Sequence, residues 1–528
     1  MPGKTAEEMA LDQKEISVAE FFEKNRHLLG FDNPAKALIT VVKEGVDNAL
    51  DACEEAGNLP HLKVDINEEG KNKYSISIKD NGPGIVKEQM PSIFGKLLYG
   101  SKFHSRRQSR GQQGIGISAS VLYSQLTTGK PAIITSRTDK DSPPKRFNLK
   151  IDTVENEPEI LKEEELEDDF EPGTEITVEV EGKYLQRYHS VDEYLKQTAI
   201  ANPYAHIEYS NPEGEEFDFK RAANKLPPDP KEIKPHPYGV ELGVLGRMLK
   251  NTESNKILSF LQNEFTRVGR TSAEEICRLA EVDPDKKPDK LKHDEQEGIL
   301  DAMQKVKIQR PPTDCLSPIG EDLIHNGLEK EIDAEFISST SRDPEVYRGN
   351  PFQVEVGIAY GGELEESENE KVKVMRYANK VPLLYQASSC AITKAMEKTD
   401  WKRYGLEQPG SNGIPKGPAT IFVHVCSTWV PFTSESKESI ARYPKIVKEI
   451  KLGLQECARD LKRHLSKKQK GEKEKRRKKI FSNYMPLVLE NAVELAGEGE
   501  DLSIDPIMQR VIDEELVEKA EEGDENDG

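Results

Sequence analysis

The most regular alternation of apolar and polar positions lies at 33–56. Leu38, Val42, Val46, Ala49 and Cys53 recur at three- and four-residue steps, which puts them on one face of a helix. Glu44, Asn48, Asp51 and Glu55 recur at the same steps on the opposite face. Pro34 suits a first helical position after Asn33, and Gly57 stops the run. Ahead of it, 1–17 reads as a loose arm, followed by a short helix through Ala19, Phe21, Phe22 and Leu28. Beyond it, 61–66 and 73–79 alternate apolar and polar residues and predict a strand pair. The second strand ends in the turn Asp80-Asn81-Gly82-Pro83-Gly84. Met90, Ile93, Phe94, Leu97 and Leu98 form a helical stretch. The polar, basic segment 100–113 reads as a mobile loop leading into a helix at 117–125. Strands are expected at 132–137, 146–151 and 174–180, and the acidic insert 155–171 reads as a solvated loop.

Proline clusters at 227–230 and 234–237 then punctuate the chain. From 238 to 306 the pattern is helical, and Thr271 or Ser272 is the expected N-cap of a helix starting at Ala273. Arg310-Pro311-Pro312 marks a further boundary. Strands are expected at 351–359, 371–377 and 419–426, and helices at 391–397 and 440–465. No internal repeat is visible. The expected architecture is α+β and multidomain: an arm (1–20), an α/β sandwich built on one mixed sheet (21–232), a helical module (233–310), an α/β domain with a long C-terminal helix (311–485) and a terminal segment (486–528).

Composition changes this picture little. Apolar residues make up 35% and charged residues 32% of 528, polar for a globular protein but too patterned for wholesale disorder. There is no run of about eighteen apolar residues, so no membrane span is expected. Residues 1–14 lack the apolar centre of a signal peptide. The six cysteines are scattered without a C-x-x-C pair, which fits a reduced cytoplasm. Net charge is −20 but uneven: 462–479 holds 11 Lys/Arg against 2 Glu, and 491–528 holds 14 Asp/Glu against 2 Lys/Arg. Local fields rather than the total decide partners.

Phosphates need backbone N–H groups at a helix N-terminus, with glycines that let the backbone approach. Gly111, Gly114 and Gly116 stand directly before the helix at 117, although the G-x-x-x-x-G-K-[ST] loop is absent. An adenine amine needs an acceptor, and Asp80 at a strand end supplies one. Mg2+ takes oxygen ligands, which the Asn48 amide oxygen provides. Glu44, one turn before Asn48, suits a base or water-orienting group. Each assignment alone is weak; their order is specific.

E-x-x-x-N on a helix, D-x-G-x-G after a strand, a glycine loop before a helix, and Gly173-Thr174 opening another strand resemble the Bergerat (GHKL) ATPase superfamily of gyrase, Hsp-type chaperones, histidine kinases and MutL. D-N-G-P-G at 80–84 and R-G-Q-Q-G-I-G at 110–116 are most similar to its topoisomerase VI B-subunit family, over about 21–484. The resemblance implies that Glu44 activates water, Asn48 holds Mg2+, Asp80 binds adenine with Thr174 helping through water, and Gly84 lets the base stack. It makes Ser101, Lys102 and the run Gly111, Gln112, Gln113, Gly114, Ile115, Gly116, Ile117 and Ser118 the ATP lid and phosphate cradle. It implies a helix-two-turn-helix module at 233–310 and a transducer domain from 311, with motifs at 375–384 and 430–437 and Lys437 reaching the γ-phosphate. It implies ATP-driven self-dimerisation with the arm exchanged, an A2B2 heterotetramer with the topoisomerase VI A subunit docked at 481–489, and capture of double-stranded DNA, with the basic helix lining its cavity. The 375–384 and 434–437 motifs and the helical module set the chain apart from the alternatives, a chaperone or MutL-type ATPase. Asp51 and Glu55 gain no role and read as solvated face; the acidic tail after 497 has no counterpart.

Overall fold

The computed structural model describes residues 5–13, 16–102, 105–111, 114–167, 170–186, 189–367, 370–410, 412–434 and 436–496. Gln112, Gln113, Glu435 and the acidic tail from 497 therefore lie outside the described residues. The chain divides into two compact units, Met1–Arg459 and Asp460–Gly528.

The first unit begins with α1 (Ala6–Leu11), so the expected loose arm is partly helical. In α2 (Val18–Lys24) the N-cap Ser17 hydroxyl accepts from Glu20 N. α3 (Pro34–Glu55) is capped by Asn33, whose Oδ1 accepts from Lys36 N. Leu38, Val42, Val46, Ala49 and Cys53 are all buried along it. β1 (His61–Gly70) and β2 (Lys73–Lys79) pair antiparallel. α4 (Met90–Gly95), α5 (Gly116–Thr128), β3 (Ala132–Arg137), β4 (Lys145–Asp152), β5 (Glu157–Glu165), β6 (Gly173–Glu181), α6 (Val191–Ala201), β7 (His206–Ser210) and β8 (Glu216–Phe219) follow. The sheet order is β5-β4-β3-β6-β2-β1-β7-β8, mixed because β1 and β7 run parallel. Leu62, Val64, Ile76 and Ile78 share one core with the apolar face of α3.

The acidic insert is not a loop. β5 is an edge strand registered on β4, with Lys87–Glu163 and Lys145–Glu165 ion pairs beside it. Its side chains are mostly exposed, so no buried face imposes an apolar alternation on it, and charge is a normal way to blunt an edge.

α7 (Leu242–Asn251), α8 (Ile257–Glu264), α9 (Arg270–Leu279) and α10 (His293–Lys305) enclose a separate core around Leu245, Phe260, Ile276 and Met303. α9 starts at Arg270, not Ala273. Gly269 turns the chain in with an extended backbone (φ −86°, ψ 179°) and no side-chain cap, which leaves Thr271 and Ser272 inside the first turn.

Next come α11 (Glu321–Glu331), β9 (Phe336–Ser341), β10 (Glu345–Tyr347), β11 (Asn350–Tyr360), β12 (Lys373–Ala378), β13 (Val381–Pro382), α12 (Ala391–Glu397) and β14 (Ala419–Ser427). β14 is buried throughout, between antiparallel β11 and parallel β12. Ile200 and Ala201 of α6 share a core with Ile324, Leu328, Tyr377 and Phe422, so α6 packs on α11 and the second sheet across an apolar seam. α13 (Pro444–Ala496) begins later than expected, because Ile440 still bridges Phe432. It ends later too, since Lys, Arg and Glu are good helix formers and the basic run does not stop it. Among the described residues, no helix is long and apolar enough to cross a membrane.

Candidate nucleotide site

A cavity of about 570 Å3 opens over the polar face of α3. Glu44 and Asn48 line it from that helix, and Asp80 and Gly84 from the turn after β2. Ser101, Lys102, Gly111 and Gly114 come from the basic loop, and Ile115, Gly116 and Ile117 from the start of α5. Thr174 comes from β6. Lys437 arrives from the second sheet's side, with residues 382–385. Of the expected side chains described, only Ser118 is not in the lining. It is buried, and its hydroxyl donates to Ile115 O, which leaves its backbone N–H as its link to the site.

At one end the Asp80 carboxylate is held by main chain. Its Oδ1 accepts from Gly82 N (2.8 Å) and Thr174 N (3.1 Å), which leaves Oδ2 for the cavity. Burial pushes this carboxyl up to about 6, against the pull of those two N–H donors. Thr174 Oγ1 lies 3.0 Å from Ser136 Oγ. Gly84 has φ +68°, and a Cβ there would fall 2.1 Å from Arg137 O, so only glycine fits this corner.

At the other end α5 begins without a side-chain cap on Ile115. Its first N–H groups lack i−4 partners and carry the positive end of the helix dipole. A Cβ on Gly116 would sit 1.7 Å from Glu44 Oε2, so glycine at this position makes room for the carboxylate. Glu44 is half-buried, and desolvation alone would raise its pKa; Lys43 and Lys437 outweigh that and hold it below the usual carboxylate range. Lys43 Nζ is 3.4 Å from Glu44 Oε1. Burial lowers the Lys437 ammonium, partly offset by Glu44. Lys437 Nζ lies 3.4 Å from Arg110 O. The cluster thus offers an ionised carboxylate beside two ammonium groups and a row of N–H donors, a setting for a phosphate chain and a water.

Asp51 overturns its reading as solvated face. It is 7% exposed and receives Lys102 Nζ (2.7 Å) on one oxygen and Arg110 Nη1 (2.7 Å) on the other. Those cations outweigh burial and hold its carboxyl well below the usual range. Glu55 stays exposed but pairs with Lys102 and Arg107. The basic loop is correspondingly anchored at 108–110. Gln108 exchanges hydrogen bonds with the Ser317 backbone, and Ser109 O accepts from Asn379 Nδ2. The Arg110 guanidinium also binds Glu54, Asn202 and Tyr204. Glu54 pairs in turn with Lys380 Nζ at 3.3 Å. Asn379 and Lys380 are the two central residues of the β12–β13 hairpin, both at positive φ (48° and 68°). Their side chains are buried at the seam between the sheets.

Lys43 adjoins Glu44 but belongs to no periodic face, and Lys380, although inside the 375–384 motif, meets Glu54 only through the tertiary fold. Among the described residues, His61, His206 and Glu208 are the group spaced to hold a metal, but none of them lines the cavity, and Glu208 and Asp218 already pair with the two rings.

Two family models match the chain. Residues 33–182 match the "Histidine kinase-, DNA gyrase B-, and HSP90-like ATPase" model, and residues 311–478 match "Topoisomerase VI B subunit, transducer". Three archaeal proteins, each named as the B subunit of type 2 DNA topoisomerase 6, are similar along almost the whole chain. The one from Methanococcoides burtonii is 50% identical, covering 98% of this chain and 83% of its own length. That of Methanosarcina barkeri is 51% identical (97% and 82%), and that of Archaeoglobus fulgidus is 49% identical (98% and 85%).

Proposed function

The chain belongs to the B-subunit family of type 2 DNA topoisomerase 6, and on that premise we propose that it is the ATP-binding and ATP-hydrolysing component of a type IIB DNA topoisomerase. One observation carries the reading: a single cavity is walled by the ATPase-matched and transducer-matched segments, with Glu44 from one and Lys437 from the other. Asp80 Oδ2 accepts from the adenine amine. The α5 N-terminus and the glycines before it take the phosphates. Glu44, kept ionised by its lysine neighbours, orients and deprotonates the attacking water. Lys437 pairs with the terminal phosphate as a compact point charge. Its attraction weakens once that phosphate leaves, so the position of the second sheet's module follows the nucleotide.

The Asn48 side-chain oxygen suits Mg2+. It faces the cavity and has no hydrogen bond among the described residues, and an amide carbonyl is a ligand that this hard cation accepts. When bound, the ion would neutralise phosphate charge.

DNA cutting belongs to the A subunit. ATP-driven dimerisation of two copies closes a clamp on one duplex while the A subunit cuts another, in an A2B2 assembly. Two features of the second unit fit partners. The basic stretch 462–479 suits sequence-independent phosphate neutralisation. Ile480, Tyr484, Leu487 and Val488 are exposed on α13 and suit docking of the A subunit. The test is supercoil relaxation and decatenation with and without the A subunit and ATP. Activity is expected only with both; activity from this chain alone, or with the A subunit but indifferent to ATP, would overturn the reading.

A further inference from the structure

Lys437 is presented by a short loop whose own bonds hold it to itself rather than to the helix it faces. Thr433 N donates to Ser439 O, Ala441 N to Pro431 O, and Phe432 bridges Ile440. Lys437 itself has φ +53°, a strained backbone for a lysine. The loop is also tied to 386–391, where Ala391 N donates to Ile440 O and the Ser389 and Ser439 hydroxyls meet at 3.1 Å, so what it still needs is a tie to α3.

The neighbouring residue provides one. The Glu438 side chain is 7% exposed, and its Oε1 lies 2.6 Å from Lys36 Nζ. Lys36 sits in the first turn of α3, where it also pairs with Asp32 (2.9 Å) and lies 5.6 Å from the Tyr385 ring centroid. Tyr385 is stacked on His189, with centroids 4.7 Å apart. The ammonium is therefore held by two carboxylates and a ring, and it gives Glu438 a fixed point on the helix. Lys36 lies eight residues before Glu44, about 12 Å along the same rigid element. The ion pair thus ties the loop of Lys437 to the helix of Glu44, without using either side chain.

We propose that Lys36 and Glu438 are positioning residues whose ion pair sets how far Lys437 reaches into the nucleotide cavity. The proposal rests on the reading that Lys437 meets the terminal phosphate. Lys36 and Glu438 also line the cavity, so the split between kcat and affinity is what separates positioning from direct nucleotide contact. Displacing a charged group by about 1 Å costs on the order of 100-fold in rate when geometry limits the reaction, whereas binding through the base and the other phosphates survives.

Glu438→Gln, Lys36→Met, the double variant and Lys437→Met are made in the full chain. ATP hydrolysis gives kcat and KM, and a fluorescent ATP analogue gives affinity. Each single positioning variant should lower kcat about 10- to 100-fold with KM and affinity changed less than about threefold. The double variant should lose no more than the worse single one, because both remove one contact. Glu438→Gln added to Lys437→Met should cost nothing further. Lys437→Met with undiminished kcat would overturn the phosphate reading and this proposal together. Loss in Lys437→Met with normal kcat in both Glu438→Gln and Lys36→Met would overturn the positioning role alone. So would parallel losses in affinity and kcat, the mark of a merely structural pair. If Glu438→Gln does not fold, Lys36→Met removes the same pair from the helix side and reads the same split.

Discussion

Glu44 and Glu54 stand on one helix, and their side chains are almost equally exposed, 20% and 17%. Their surroundings differ in kind. Glu54 is met by Arg110, Lys380 and the Tyr204 hydroxyl, within a cluster where Asp51 balances the second positive charge. Among the described residues Glu44 has a single ion pair, with Lys43 at 3.4 Å, and it faces a cavity. Burial therefore does not distinguish a carboxylate that holds the fold from one left open to a ligand. Saturation does: a group with every bond already made has nothing left for a ligand, and a group with one long contact does.

If saturation is what separates the two carboxylates, removing each should damage a different property. Glu44→Ala should lower ATP turnover by about 10²- to 10⁴-fold, the usual contribution of a positioned base, while nucleotide-driven dimerisation persists. Phosphate release and sedimentation measure the two, and undiminished hydrolysis would remove Glu44 from the chemistry. Glu54→Gln should do the reverse. It leaves Lys380 buried without its carboxylate and Arg110 with Asp51 alone, a loss of about 3–5 kcal/mol, read as a lower unfolding midpoint in urea. A change under about 1 kcal/mol would show the cluster to be less closed than its bonds suggest.

Gly116→Ala tests the open end more gently. Its methyl would displace the Glu44 carboxylate and should cost about 10- to 100-fold in turnover, with little change in the unfolding midpoint. The smallest effect is on pH. Asp80 titrates at about 6, and its Oδ1 is already saturated, so a proton goes to Oδ2 and turns the acceptor into a donor facing an amine that also donates. Nucleotide affinity should hold above pH 6 and fall as pH drops through it, by at most about tenfold per unit. Asp47, also near 6 but outside the cavity lining, is the control. Asp80→Asn should flatten the profile and Asp47→Asn should not.

Much of the open end was legible in the chain, because its residues sit at spacings that local geometry imposes. Glu44 and Asn48 are one helical turn apart, and the glycines precede a helix start. The closed end was not. Helical spacing shows that Asp51 points away from the apolar face of α3, but not that the 108–110 loop will cover it. β5 was missed for a related reason: an exposed edge strand needs no apolar alternation. Thr271 was a good cap residue in sequence, but Gly269 had already turned the chain. Lys437 came from a family resemblance and not from any pattern of its own, since its loop meets α3 only after both sheets have formed.

The hairpin tip at Asn379-Lys380 has a mechanical consequence. Two left-handed residues in succession suit Asn-Gly, and a lysine in the second place raises the tip's conformational energy by on the order of 1 kcal/mol. Both residues are braced from their own sheet: Asn379 N donates to Val425 O, its side chain exchanges bonds with the Ser427 backbone, and Lys380 N donates to His424 Nε2. The strain is therefore met inside one sheet, and the tip is held in shape for Glu54 and the Ser109 carbonyl. A preformed tip can seat against α3 and the 108–110 loop, or leave them, without its turn refolding.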